Sequence, residues 1–101
     1  MKAEFTVFED APGYWFVPLA VEAAAIAAPG KHRRVAYPTK IAACRAALAE
    51  AVTEGATELH LHGMGSTISI KADAKAKGIK PFVYWPSVTT RIAQFVRVKR
   101  S

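Results

Sequence analysis

Residues 3–9, AEFTVFE, alternate between apolar and polar positions and predict a strand. Asp10-Ala11-Pro12-Gly13 is a turn cluster, and Tyr14–Val17 reads as a second strand, so a hairpin is expected here. Pro18 ends it. Residues 19–28, LAVEAAAIAA, are alanine-rich and helix-prone, and Pro29-Gly30 stops them. Residues 1–30 are thereby expected to form an extension, a hairpin and a short helix, packed on a core that occupies 31–101.

Within that core, Arg33–Tyr37 reads as a strand halted by Pro38. Thr39 can cap a helix through its hydroxyl. From Lys40 to Glu54 the spacing is helical, with Ile41, Cys44, Leu48 and Val52 as the apolar stripe, and Gly55 ends the helix. Ala56–His62 alternates, with Leu59 and Leu61 facing one way and Glu58, His60 and His62 the other. Gly63-Met64-Gly65 is a tight turn, and Ser66 or Thr67 caps a helix that runs to about Lys77 and stops at Gly78. Ile68, Ala72 and Ala76 give that helix an apolar side; Lys71, Lys75 and Lys77 give it a basic one. Ile79–Trp85 reads as a strand, and Pro81 argues for an edge position. After the Pro86-Ser87 turn, residues 88–100 fit both strand and helix spacing; their β-branched content favours strand. The expected fold is α/β (α+β): βαβαββ, one mixed sheet with both core helices on one face.

Charge sharpens this picture. The 101 residues carry a formal net charge of +6. Residues 1–58 hold six Lys/Arg against seven Asp/Glu, whereas residues 59–101 hold eight against the single acid Asp73. A one-sided basic surface suits a polyanion, because each cation near a phosphate releases condensed counterions. The single cysteine, Cys44, excludes an internal disulfide and reads as a small buried hydrophobe. The N-terminus has no apolar signal core, and no apolar run approaches the ~18 residues that span a bilayer. A cytoplasmic protein, nucleoid- or nucleus-associated in some hosts, is the expectation, with no membrane partner.

The strand–Gly-x-Gly–helix junction at His62–Ile68 can bring backbone N–H groups close to a phosphate. It lacks the third glycine of a dinucleotide fingerprint and the Lys-Ser/Thr ending of a P-loop. The run EGATELHLHGMGSTIS resembles the Alba superfamily of DNA- and RNA-binding proteins, and within it the branch that includes a small protein subunit of RNase P and RNase MRP. Gly55, Glu58, Leu61, His62, Gly63, Met64, Gly65 and Ile68 sit in the places of that branch's motif. The upstream VAYPTKIAACRAALAEAV is similar to the family's first strand and helix. The resemblance implies a fold like the C-terminal domain of translation initiation factor 3, homo- or heterodimerisation, and binding of RNA or DNA through basic loops and a β-hairpin arm. It also places Lys40 near the family's lysine-bearing junction.

A non-catalytic, cofactor-free nucleic-acid-binding protein is therefore expected. The candidate contacts are Lys31, Arg33, Arg34, Lys40, Gly63, Gly65, Ser66, Lys71, Lys75, Arg91 and Arg97. Two alternatives compete. The HGMG stretch is also similar to the His-Gly-x-Gly motif of Small MutS-related domains, some of which nick nucleic acid, but no upstream Asp-x-His-type partner is present. The aromatics Tyr14, Trp15, Phe16, Phe82, Tyr84 and Trp85 would equally serve a protein-interaction module. His60 and His62 form a His-x-His pair of the kind that holds zinc, yet two ligands and a carboxylate far away do not make a metal site. A polar sheet face, partly covered by a partner chain, is the expected role of both.

Overall fold

The computed structural model describes residues 1–10, 13–32, 35–63 and 68–85. Strand β1 (Lys2–Asp10) and strand β2 (Gly13–Pro18) form the expected antiparallel hairpin. A 3-10 turn (Leu19–Val21), α1 (Glu22–Ala27) and a single turn of helix, α2 (Pro29–His32), follow. Then come α3 (Lys40–Thr53), β3 (Glu58–His62), α4 (Ile68–Ala76) and β4 (Lys80–Val83). No helix among the described residues is long and apolar enough to cross a membrane.

The sheet is mixed, with strand order β2-β1-β3-β4. β1 is antiparallel to β2 and parallel to β3, and β3 is parallel to β4. The β3-α4-β4 segment is thus a parallel unit joined by a helical crossover, as parallel pairing requires. The N-terminal hairpin does not merely lie against a core that begins at residue 31. It supplies half of the sheet, and β1 runs through its middle.

The strand expected at 33–37 is corrected. Val35 and Ala36 carry no strand pairing, and Tyr37 makes one isolated antiparallel bridge to Tyr14 on the outer edge of β2. Pro38 has no N–H to extend a ladder, so the pairing stops at one residue. The strand that pairs with β3 comes instead from residues 2–6. The helix expected over 19–28 is shorter and starts as a 3-10 turn; Pro29-Gly30, expected to stop it, opens α2.

Two hydrophobic clusters lie on opposite faces of the sheet. Ala3, Phe5, Val7, Leu59 and Leu61 point to the face covered by α3 and α4. Phe8, Trp15 and Val17 point to the other, where Ala25 of α1 and the flanking Val21 and Ile26 cover them. So α3 and α4 share a face as expected, while α1 lies on the opposite one. Thr6 points the same way as Phe8, and its hydroxyl donates to Glu22 of α1 at 2.5 Å.

Both helix stripes are rotated from their expected positions. α3 buries Ala43, Cys44, Ala47, Leu48 and Ala51, whereas Val52 is exposed and Ile41 is only partly buried. Alanines let the helix axis approach the sheet closely, so the small-residue stripe wins over the larger side chains beside it. In α4 the buried pair is Ile70 and Ala74, and the expected Ala72 and Ala76 are exposed. The start of α3 and the closures of α3 and α4 match expectation, while the cap expected at Ser66 or Thr67 lies outside the described residues. Thr39 Oγ1 accepts from Ala42 N at 3.2 Å. After α3, Ala56 N donates to Ala51 O and Gly55 N to Val52 O, a Schellman closure repeated after α4 by Ile79 and Gly78.

Gly63 closes β3 with φ +82°. A Cβ at this position would stand 2.4 Å from the Val7 carbonyl oxygen of β1. Both the dihedral and the close approach exclude a side chain, so the glycine lets the end of β3 lie tightly against the Val7 carbonyl of β1. Gly63→Ala is expected to lower stability by about 2–4 kcal/mol. A urea titration checks this, and an unchanged midpoint would show that the turn has room to shift.

Candidate nucleic-acid interface

α4 presents Lys71 and Lys75 one turn apart, and both are exposed, as is Lys77. The one acid of the helix, Asp73, is held by Arg45 of α3, Nε to Oδ2 at 2.9 Å. That pair cancels within itself and leaves the helix surface cationic. Among the described residues no ion pair engages Lys71, Lys75 or Lys77.

The remaining expected contacts are scattered. Lys40 sits at the start of α3. Lys31 lies in α2 and lines a cavity of about 460 Å³ with Phe16, Val17, Tyr37 and Glu50, on a different flank of α3 from the α4 lysines. Gly63 is buried at the end of β3, and its role is close packing on β1. Arg33, Arg34, Gly65, Ser66, Arg91 and Arg97 lie outside the described residues, as does the strand expected within 88–100. The structure thus joins Lys71 and Lys75 in one patch, and Lys31 is not part of it.

The second feature is the face of β1, β3 and β4 opposite α3 and α4. In-register parallel pairing aligns Lys2 with Glu58 and Lys80, and Glu4 with His60 and Phe82. His62 aligns with Thr6, and Tyr84 follows β4 beside it. The expected alternation of β3 is seen here, since Glu58, His60 and His62 share this face. Their ring partners are new. His60 stacks on Phe82 with centroids 4.4 Å apart, and His62 stacks on Tyr84 at 4.5 Å. Neighbouring rungs of parallel strands bring flat side chains into register, so ring stacking follows from the pairing.

The carboxylates are close rather than remote. Glu58 Oε1 lies 2.9 Å from His60 Nε2, and Glu4 Oε2 lies 3.3 Å from His62 Nε2. Tyr84 Oη lies 2.8 Å from His60 Nδ1. A carboxylate only accepts, so a neutral His60 donates from Nε2 to Glu58, and Nδ1 accepts from the Tyr84 hydroxyl. No group of three His, Cys, Asp or Glu among the described residues converges to hold a metal ion. Glu4, Phe82 and Tyr84 escaped sequence reasoning as members of this cluster. Their signal was the period-two parity of residues 2–8 and 80–84, which has meaning only once the neighbouring strands are known.

The bond from His60 holds the Glu58 carboxyl below its ordinary value, with smaller help from nearby Lys80 and Lys2. Burial pushes Glu4 upward, but hydrogen bonds from His62 and Lys2 outweigh it and leave Glu4 lowered too. Burial pushes the Cys44 thiol up to about 11, so it is no nucleophile at neutral pH.

Taken together, these features define a small α+β domain with a cationic helix on one side of its sheet and a polar, ring-stacked face on the other. No protein-family model, curated protein or solved structure matches the chain.

Glu4 and Glu58 both ionise more readily folded than unfolded. Their contribution to stability is complete above the ordinary value of 4.5 and is lost as pH falls through the lowered folded values. Urea midpoints are expected to fall with pH below 4.5, and Glu58→Gln should lose less than the parent protein over that range. Equal losses would show that the His60–Glu58 pair contributes nothing.

Proposed function

We propose that this protein binds nucleic acid, RNA or DNA, by contacts to the phosphate backbone, as its resemblance to the Alba superfamily implies. The observation that carries the reading is the exposed lysine surface of α4, freed from its only acid by the Arg45–Asp73 pair. Point cations at one-turn spacing suit phosphates and read no base edge, so binding is expected to be insensitive to sequence. Single strands gain a further contact. Trp85 is 69% exposed directly after Tyr84, and an exposed indole offers a stacking surface for an unpaired base. The dimer that the family resemblance implies would double the basic surface and is part of this proposal.

Affinity for a single-stranded oligonucleotide should fall steeply with salt. Lys71→Glu with Lys75→Glu should weaken binding at least tenfold and reduce the slope of log affinity against log salt by about 1.4, because two phosphate contacts to a single strand are lost. Retention of neither RNA nor DNA at low salt would overturn the reading. An unchanged slope in the double variant would place the contacts on another surface.

A further inference from the structure

Tyr84, His60 and Glu58 form a hydroxyl–imidazole–carboxylate chain with links of 2.8 and 2.9 Å. Two features set it apart from a network that merely satisfies a buried histidine. First, its middle member is shielded while both ends reach the surface: His60 is 7% exposed, whereas Tyr84 is 39% exposed and the Glu58 side chain 43%. The base is shielded and the hydroxyl residue is presented to solvent. Second, the rings are clamped. Phe82 lies parallel to the His60 ring at 6°, and the His62 ring, itself bonded to Glu4, lies parallel to Tyr84 at 10°. A hydroxyl within reach of a base that a third group orients is the arrangement that activates a weak nucleophile. Lys80 stands on the same face, its Nζ 5.3 Å from the Phe82 ring centroid.

We propose that Tyr84 is a nucleophile toward phosphodiesters, with His60 as its general base and Glu58 as a positioning residue. The Tyr84 Oη–P bond forms as the bond from phosphorus to the leaving oxygen breaks. The phenolic proton passes to His60 Nδ1, while Nε2–H remains bonded to Glu58, and the proton then goes to the leaving oxygen. One phosphodiester is exchanged for another, so no oxidant, reductant or nucleotide is consumed. The activity is additional to strand binding and does not depend on it, since a small phosphodiester suffices as substrate.

The test uses bis(p-nitrophenyl) phosphate and the full chain. A burst of nitrophenolate stoichiometric with protein is expected, with the p-nitrophenyl phosphate group on the Tyr84 peptide by mass spectrometry. Tyr84→Phe keeps the stacked ring and should abolish burst and adduct. His60→Gln should slow the burst ~100-fold. Glu58→Gln should slow it about tenfold with the half-saturating concentration unchanged, as expected for a group that orients the base and does not touch the ester. Absence of a burst from the parent protein overturns the inference, as does an adduct that persists in Tyr84→Phe. So does a parent-like rate in folded Glu58→Gln and His60→Gln together. Strand binding fails or succeeds separately: an adduct without oligonucleotide retention overturns the binding reading alone, and retention without an adduct overturns this one alone.

Discussion

Strand β1 is hydrogen-bonded along both edges and buried on both faces, and the rest of the molecule is arranged around that constraint. Phe5 and Val7 are sealed beneath α3 and α4, while Thr6 and Phe8 are sealed on the side of α1. Each large apolar side chain buried in this way contributes about 1.5–3 kcal/mol. A strand covered twice needs two layers of helix, which is why α1 crosses to the face opposite α3. It also needs a neighbour that can lie close against it. Gly63 fits against the Val7 carbonyl at the end of β3, and the histidine face of β3 stands in register with Glu4 and Thr6.

What the sequence reveals of this fold divides by distance. Elements fixed by neighbours in the chain were legible: the β1–β2 hairpin, the Thr39 cap, the glycines that close α3 and α4, and the alternation of β3. Elements fixed by remote packing were not. The stripe Ile41, Cys44, Leu48, Val52 fits helical spacing, but Ala43, Ala47 and Ala51 fit it equally and permit closer contact with the sheet. An alanine-rich helix carries two overlapping stripes, and only the opposing surface selects between them. The segment at 33–37 likewise has strand composition, yet the strand beside β3 is β1, and Tyr37 adds a single bridge at the far edge.

The candidate site follows the same division. The lysines of α4 are a local pattern and were read from spacing alone, whereas the Arg45–Asp73 pair that leaves them uncancelled joins residues on two helices. The histidines were placed on one face by parity, but their carboxylate and ring partners come from residues 4, 82 and 84, which parallel pairing brings alongside. Glu58 bonds His60 within β3, and Glu4 and His62, 58 positions apart, meet across two neighbouring strands.

The two surfaces lie on opposite sides of the sheet, and β4 connects them. α4 packs on the face shared with α3, and the chain passes through Gly78 and Ile79 into Lys80, which stands on the other face beside Phe82. Four residue steps take the chain from Lys80 to Tyr84, about 13 Å at the rise of a parallel strand. No side chain of the lysine patch takes part in the His60 hydrogen bonds. Substitutions in the two surfaces share no partners, so their effects should add. Coupling between them would mean that one strand spans both faces, which requires a flexible ligand.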